Sequence, residues 1–246
     1  MAFLDTLTFC AGARICPGVS LNSDGADFAL YSESARAVSV VLFDADGASR
    51  AFALVRKDNL WVGRVRGALA GIRYGYRVQT AQGPGNKPTD SLLLDPYAPD
   101  ITGCYARDAA DGACGLYGVL PVPDTFDWED DRPPATPISE SVFYEVHVKG
   151  ATKLLFDIPE KIRGTYEALA SVPFVKHLKA LGVTAVDLLP VTQAIDEDRL
   201  KARGLRNYWG YNPVFLLGST GMQPIPHTCA MNFGAWSRPY IRKVWK

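Results

Sequence analysis

The residues of this sequence with the chemistry to do something are mostly aromatic. "NYWGYN" places Tyr208, Trp209 and Tyr211 in one short glycine-containing stretch. A planar ring offers a flat apolar face for stacking on a ligand, and such a cluster also suits packing a loop on itself. Trp61, Tyr74 and Tyr76 raise the same two readings. Exposed on one sheet face they would form a stacking platform for a ligand; their period-two placement is at least as consistent with core and inter-domain packing.

The titratable groups are sparser. His147 and Lys149 in "YEVHVKG" have the types of an acid/base pair, but at a strand end they are read as residues making structural hydrogen bonds. Asp187 in "VTAVDLLPV" is a lone carboxylate in an apolar run, and His177 falls on the surface of a helical pattern. "GPGNKP" lacks the GxGxxG or GxxxxGK pattern of a phosphate cradle. Five cysteines without CxxC spacing, among only three histidines, indicate neither a disulfide framework nor a zinc site. No metal and no organic cofactor is expected.

Composition narrows the partners. Twenty-six basic residues balance 26 acidic ones over 246 residues, so no overall field draws in nucleic acid or an anionic membrane. A neutral ligand fits best. With 48% hydrophobic content the chain can bury a sizeable core, and its first 25 residues hold no run suited to a signal peptide or a membrane span. A reducing cytoplasm is the expected location.

The elements that must position these residues come in two styles. From Asp27 to Val78, "DFALYS", "AVSVVLFD", "RAFALV", "LWVGRV" and "YGYRVQ" alternate at period two between turn signals, which predicts an antiparallel β-sandwich. Residues 81–140 are rich in glycine and proline and read as a long ordered connection. After Pro137, "SVFYEVHVKG" predicts a buried strand, "TYEALASVPFVKHLKALG" a helix stopped at Gly182, and "VTAVDLLPV" a second buried strand. Strand, helix, strand of this kind is a parallel βαβ unit.

Taken in order, "FYEVHVKGATK", "RGTYEAL", "HLKALGVTAVDLLPV" and "GLRNYWGYN" resemble the opening of the catalytic barrel in bacterial glycogen debranching enzymes of the isoamylase type, within the α-amylase superfamily. "YGYRV", "LLLDPYA" and "FDW" likewise resemble that family's glycogen-binding sandwich module and its link to the barrel. The resemblance implies an immunoglobulin-like sandwich over residues 14–105, a linker over 106–140, and the first β/α units of an incomplete (β/α)8 barrel over 141–215. It also implies a glycogen or α-glucan ligand, with Tyr211, Trp209 and Asn207 binding substrate. Tyr211 matches the family tyrosine that stacks on the sugar at the cleavage subsite.

The family's chemistry is retaining hydrolysis of α-1,6 branch linkages. It requires an Asp nucleophile and a Glu acid/base flanking the scissile bond, with a third carboxylate on substrate hydroxyls. In the family these stand at the ends of later barrel strands, so no catalytic residue is expected in this chain. Residues 199–246 hold no Asp or Glu and eight Lys or Arg, and nothing after Pro213 matches the family. A shifted reading frame beginning near Val214 to Leu217 accounts for the change, leaving 216–246 as a divergent tail. Three functions follow as alternatives: a truncated debranching enzyme unable to cleave, a non-catalytic glycan-binding module, or an inert sandwich scaffold.

Overall fold

The computed structural model describes residues 3–11, 16–67, 69–80, 89–103, 115–122 and 135–214. "GPGNKP", "FDW" and the divergent tail lie outside these. The chain divides into two compact units, Met1–Pro123 and Asp124–Lys246. No helix among the described residues is long and apolar enough to cross a membrane.

The first unit is the antiparallel β-sandwich. One sheet contains β1 (Thr8–Cys10), β2 (Gly18–Asn22), β3 (Gly25–Tyr31), β6 (Val55–Lys57) and β7 (Leu60–Arg66), with β3 and β7 at its centre. The other contains β4 (Ala35–Phe43), β5 (Ser49–Ala53), β8 (Arg73–Thr80), β9 (Thr89–Leu93), β10 (Asp100–Gly103) and β11 (Leu116–Val119). The five strands read from alternation are all present; the shorter β1, β2, β6, β9, β10 and β11 lack enough alternating residues to announce themselves.

Strand β11 corrects the sequence reading of residues 106–140 as connection. Gly118 and Val119 pair with Tyr74 and Arg73, which makes β11 part of the second sheet. Its "LYGV" is too short and too glycine-flanked to show a period.

Pleating puts Val38, Val40 and Leu42 of β4 and Tyr74, Tyr76 and Val78 of β8 on the inner face. There they meet Phe28, Trp61 and Val65 of the facing sheet in one cluster. Each buried side chain of this size contributes about 1.5–3 kcal/mol. Two polar features are tied into this frame. Asp27 and Arg64, cross-strand partners, join through two hydrogen bonds of 2.7 and 2.6 Å; these bonds and the carboxylate charge raise the guanidinium pKa above its ordinary value. Asp95, fully buried, accepts from the Tyr74 hydroxyl at 2.7 Å and from the Tyr97 amide at 2.8 Å.

The second unit contains a parallel pair. Strand β12 (Phe143–Val146) pairs in register with β13 (Ala185–Leu188), and the connection between them carries three helices: α1 (Val148–Thr152), α2 (Tyr166–Leu169) and α3 (Val172–Ala180). The sequence reading of one helix through "TYEALASVPFVKHLKALG" is corrected to two. Continued helix would set the Pro173 ring against the Leu169 carbonyl, so the chain breaks at Ser171, whose extended backbone starts α3 afresh. Gly182, at φ 71°, ends α3 with amide bonds from Gly182 to Lys179 and from Val183 to Leu178.

Among the described residues the strands are covered on one face only, against the expectation of burial on both. Tyr144, Val146, Val186 and Leu188 pack on Leu169, Phe174, Val175 and Leu178, while Phe143, Glu145 and Asp187 point to solvent. A short helix α4 (Asp198–Lys201) precedes the aromatic loop.

Tyr74→Phe keeps the ring and removes the donor that faces a buried carboxylate. It should lower stability by about 1–3 kcal/mol, read from the urea midpoint, with the ellipticity of the folded chain unchanged. An unchanged midpoint would show that the Tyr74–Asp95 bond is not part of what holds the sandwich.

Candidate functional site

The sequence-derived platform is not a surface. Tyr74 and Tyr76 are 0% exposed and Trp61 6%, so none of the three offers a face to a sugar. The cause is parity: Tyr74 and Tyr76 share the inward side of β8, and Phe28 meets Tyr74 edge-on at 5.7 Å. Trp61 donates its indole N–H to the Ser32 carbonyl at 3.2 Å and lies under the Arg56 guanidinium at 5.7 Å.

The opposite parity builds a different surface. Val41 and Phe43 of β4, Arg73 and Arg77 of β8, Tyr117 of β11 and Leu92 of β9 lie on the outer face of the same sheet. Phe43 and Tyr117, both half-buried, meet edge-to-face at 5.0 Å, and the Arg73 guanidinium lies 5.6 Å from the Tyr117 ring. Arg73 also donates to the Asp44 carbonyl at 2.7 Å, which fixes its head beside the rings. Two half-buried aromatic rings, packed over the buried Val41 and Leu92 and bordered by the Arg73 guanidinium, form a patch suited to a neutral polyhydroxyl ligand, with ring surface for C–H groups and N–H donors for hydroxyls. Sequence reading missed it, although Val41 and Phe43 were a signal: they are apolar residues on the solvent parity of an alternating strand.

The loop 204–214 presents the other aromatics. Tyr208, Trp209 and Tyr211 are all exposed, Tyr211 most of all at 66%. The bridge between Ala194 and Pro213, with amide bonds from Ile195 to Asn212 and from Val214 to Gln193, closes this loop against the preceding segment. Asn207 is the pin inside it. Its backbone N–H donates to Asp196 Oδ1 at 2.7 Å, its side-chain amide donates to both Glu197 carboxylate oxygens at 3.2 Å, and its Oδ1 accepts from the Gly210 amide at 2.9 Å. Asn207 therefore shapes the loop, while Trp209 and Tyr211 hold its outward rings.

His147 caps α1 by accepting from the Gly150 amide, consistent with the structural reading, and Lys149 is exposed with its ammonium 5.9 Å from the Tyr208 ring. Asp187 is exposed on β13, paired in register with Glu145. His177 is exposed and edge-on to Tyr144 at 6.3 Å. Among the described residues no group of His, Cys, Asp or Glu could hold a metal ion.

Residues 12–98 match the model of carbohydrate-binding module 48, the isoamylase N-terminal domain. This stretch belongs to that family. The chain as a whole is similar to the glycogen debranching enzymes of Salmonella typhi and Salmonella choleraesuis, each 42% identical over 213 residues, which is 80% of this chain and 32% of the relative. It thus spans about a third of the length of the curated relatives it matches. The resemblance first carried by "FYEVHVKGATK" and "GLRNYWGYN" is borne out.

Solved structures agree on the fold. Pullulanase type I of Bacillus subtilis, complexed with maltose, superposes with a TM-score of 0.75 at 21% identity, covering 95% of this chain and 32% of that one. The pullulanase of Paenibacillus barengoltzii, in complex with maltohexaose and α-cyclodextrin, gives 0.73 at 22% identity over 95% of this chain and 37% of its own.

Asn207→Ala should free the Gly210 amide and both Glu197 oxygens at once. Amide exchange at Gly210 is expected to rise about fivefold while that of β12 stays unchanged, since one net hydrogen bond is worth ~1 kcal/mol. Equal exchange in variant and parent would remove Asn207 from its role in shaping the loop.

Proposed function

We propose that this chain is the glucan-binding part of a glycogen debranching glycoside hydrolase, able to hold an α-glucan and unable by itself to cleave it. The observation that carries this reading is the 42% identity to glycogen debranching enzymes over 80% of the chain, a span longer than either compact unit. Neither the sandwich nor the βαβ unit alone accounts for a match of that length.

The outer sheet face is the first contact with glucan on this reading. Phe43 and Tyr117 supply stacking surface, and Arg73 and Arg77 supply donors for hydroxyls. The ligand is uncharged, in keeping with a chain of formal net charge zero. The parallel pair β12–β13, with helices on one face, is the opening of an incomplete (β/α)8 barrel, and residues 141–215 carry it. Tyr211 and Trp209 then form a second, weaker sugar contact, with Asn207 holding their loop in shape. The location is cytoplasmic.

On this reading the residues present bind without cleaving, for a chemical reason. Retaining hydrolysis needs two carboxyl groups about 5–5.5 Å apart across the scissile bond, one as nucleophile and one as acid/base. The debranching family that the sequence resembles carries these on barrel strands later than the two found among the described residues. Binding without turnover is the result.

Electrophoresis of the 246-residue chain in native gels cast with glycogen tests this directly. The chain should be retarded, Tyr117→Ala and Phe43→Ala should each weaken retardation about tenfold, or ~1.4 kcal/mol, and no reducing ends should appear in the polymer. Mobility independent of glycogen would sink the binding reading, and released reducing ends would sink the claim of inactivity.

A further inference from the structure

We infer that His147 is a positioning residue for the Tyr208–Tyr211 loop, fixing where its exposed rings stand relative to the end of β12. His147 follows the last residue of β12 and is 7% exposed, and the loop it meets lies 61 residues further along the chain. The two are joined by more than proximity.

The imidazole is committed at both nitrogens. Nδ1 accepts the Gly150 N–H at 2.9 Å, so the ring proton stands on Nε2, which donates to the Tyr208 carbonyl at 2.8 Å. The first bond ties the ring to the start of α1, and the second ties the loop backbone to the ring. The ring faces add a further constraint: Tyr208 stacks on His147 at 4.4 Å with 16° between planes, and Trp209 stands edge-on to it at 5.6 Å. Tyr208 and Trp209 are mutually perpendicular at 5.1 Å, so locating one ring locates the other.

Gly150 keeps this arrangement open. A Cβ at that position would meet the Tyr208 hydroxyl at 2.8 Å, closer than real Cβ contacts come. The start of α1 is thus shaped to receive Tyr208 over His147. Because both imidazole nitrogens bind backbone groups, His147 has no site left for a substrate proton. It acts through the loop and touches no ligand. Its bearing on function rests on the proposed sugar contact at Tyr211 and Trp209, whereas the tether itself does not.

Two substitutions separate the bonds. In His147→Asn the side-chain oxygen can take the place of Nδ1 and keep the cap, but nothing reaches Tyr208. In His147→Gln the amide nitrogen can take the place of Nε2, keeping the tie to Tyr208 and losing the cap. Hydrogen–deuterium exchange of the full chain should show residues 207–211 exchanging about tenfold faster in the Asn variant, with 148–152 unchanged, and the Gln variant restoring most of the loop's protection. Unchanged exchange at 207–211 in the Asn variant overturns the inference. So does a uniform rise across 142–214, which marks a general fold residue. If the Asn variant does not fold, the Gln variant decides, with retained loop protection supporting the tether and lost protection overturning it. Added maltoheptaose tests the sugar contact separately: no protection of 207–211 in the unsubstituted chain removes that reading and leaves the tether in place.

Discussion

The pairing of β4 with β8 is the constraint on which the first unit depends. Once Leu42 lies opposite Tyr74 and Val40 opposite Tyr76, pleating sends every one of these side chains inward and sends Phe43, Arg73, Val41 and Arg77 outward. A slip of one residue would exchange the two sets, exposing the tyrosines and burying two guanidiniums. The register that makes the inner core therefore also makes the outer face, where Phe43 and Tyr117 pack half-buried over Val41 and Leu92. Gly75 belongs to the same arrangement, since a Cβ there would press on Leu92 at 3.1 Å.

A comparable rule governs the second unit. Parallel strands need a crossover, and here the crossover carries the helices that cover one side of β12 and β13. The chain leaves β12 through His147, which ends the strand and starts α1 in a single residue. The same residue holds the aromatic loop, so strand end, helix start and loop are set together. Geometry of this kind concentrates exposed rings at the C-terminal end of a parallel strand, the end where α/β folds place their ligands.

Much of this was legible in the sequence, and the failures have physical causes. Alternation in "AVSVVLFD" and "YGYRVQ" predicts the central strands because period two survives wherever one face is buried. It also says which side is which, and by that test Tyr74 and Tyr76 belong with the core positions, the second of the two readings their spacing allows. Strand β11 is hidden because only its pairing, with β10 on one side and β8 on the other, makes a strand of "LYGV". The break between α2 and α3 was encoded in Ser171 and Pro173, inside an apolar spacing that continues across it. The doubled role of His147 had no sequence signal, since neither Gly150 nor Tyr208 reveals its distance from the ring. Motif order carries what composition does not: the run from "FYEVHVKGATK" to "GLRNYWGYN" resembles debranching enzymes where net charge and residue content are silent.

The central claim is that α-glucan is held on the outer sheet face at Phe43 and Tyr117. Two-dimensional amide and indole NMR of the chain titrated with maltoheptaose tests it most directly, since each resonance reports its own neighbourhood. The account predicts shifts concentrated at Phe43, Arg73, Arg77 and Tyr117, with the Trp61 indole N–H unmoved. Shifts at Trp61 with none on the outer face, or no shifts at saturating sugar, would contradict it.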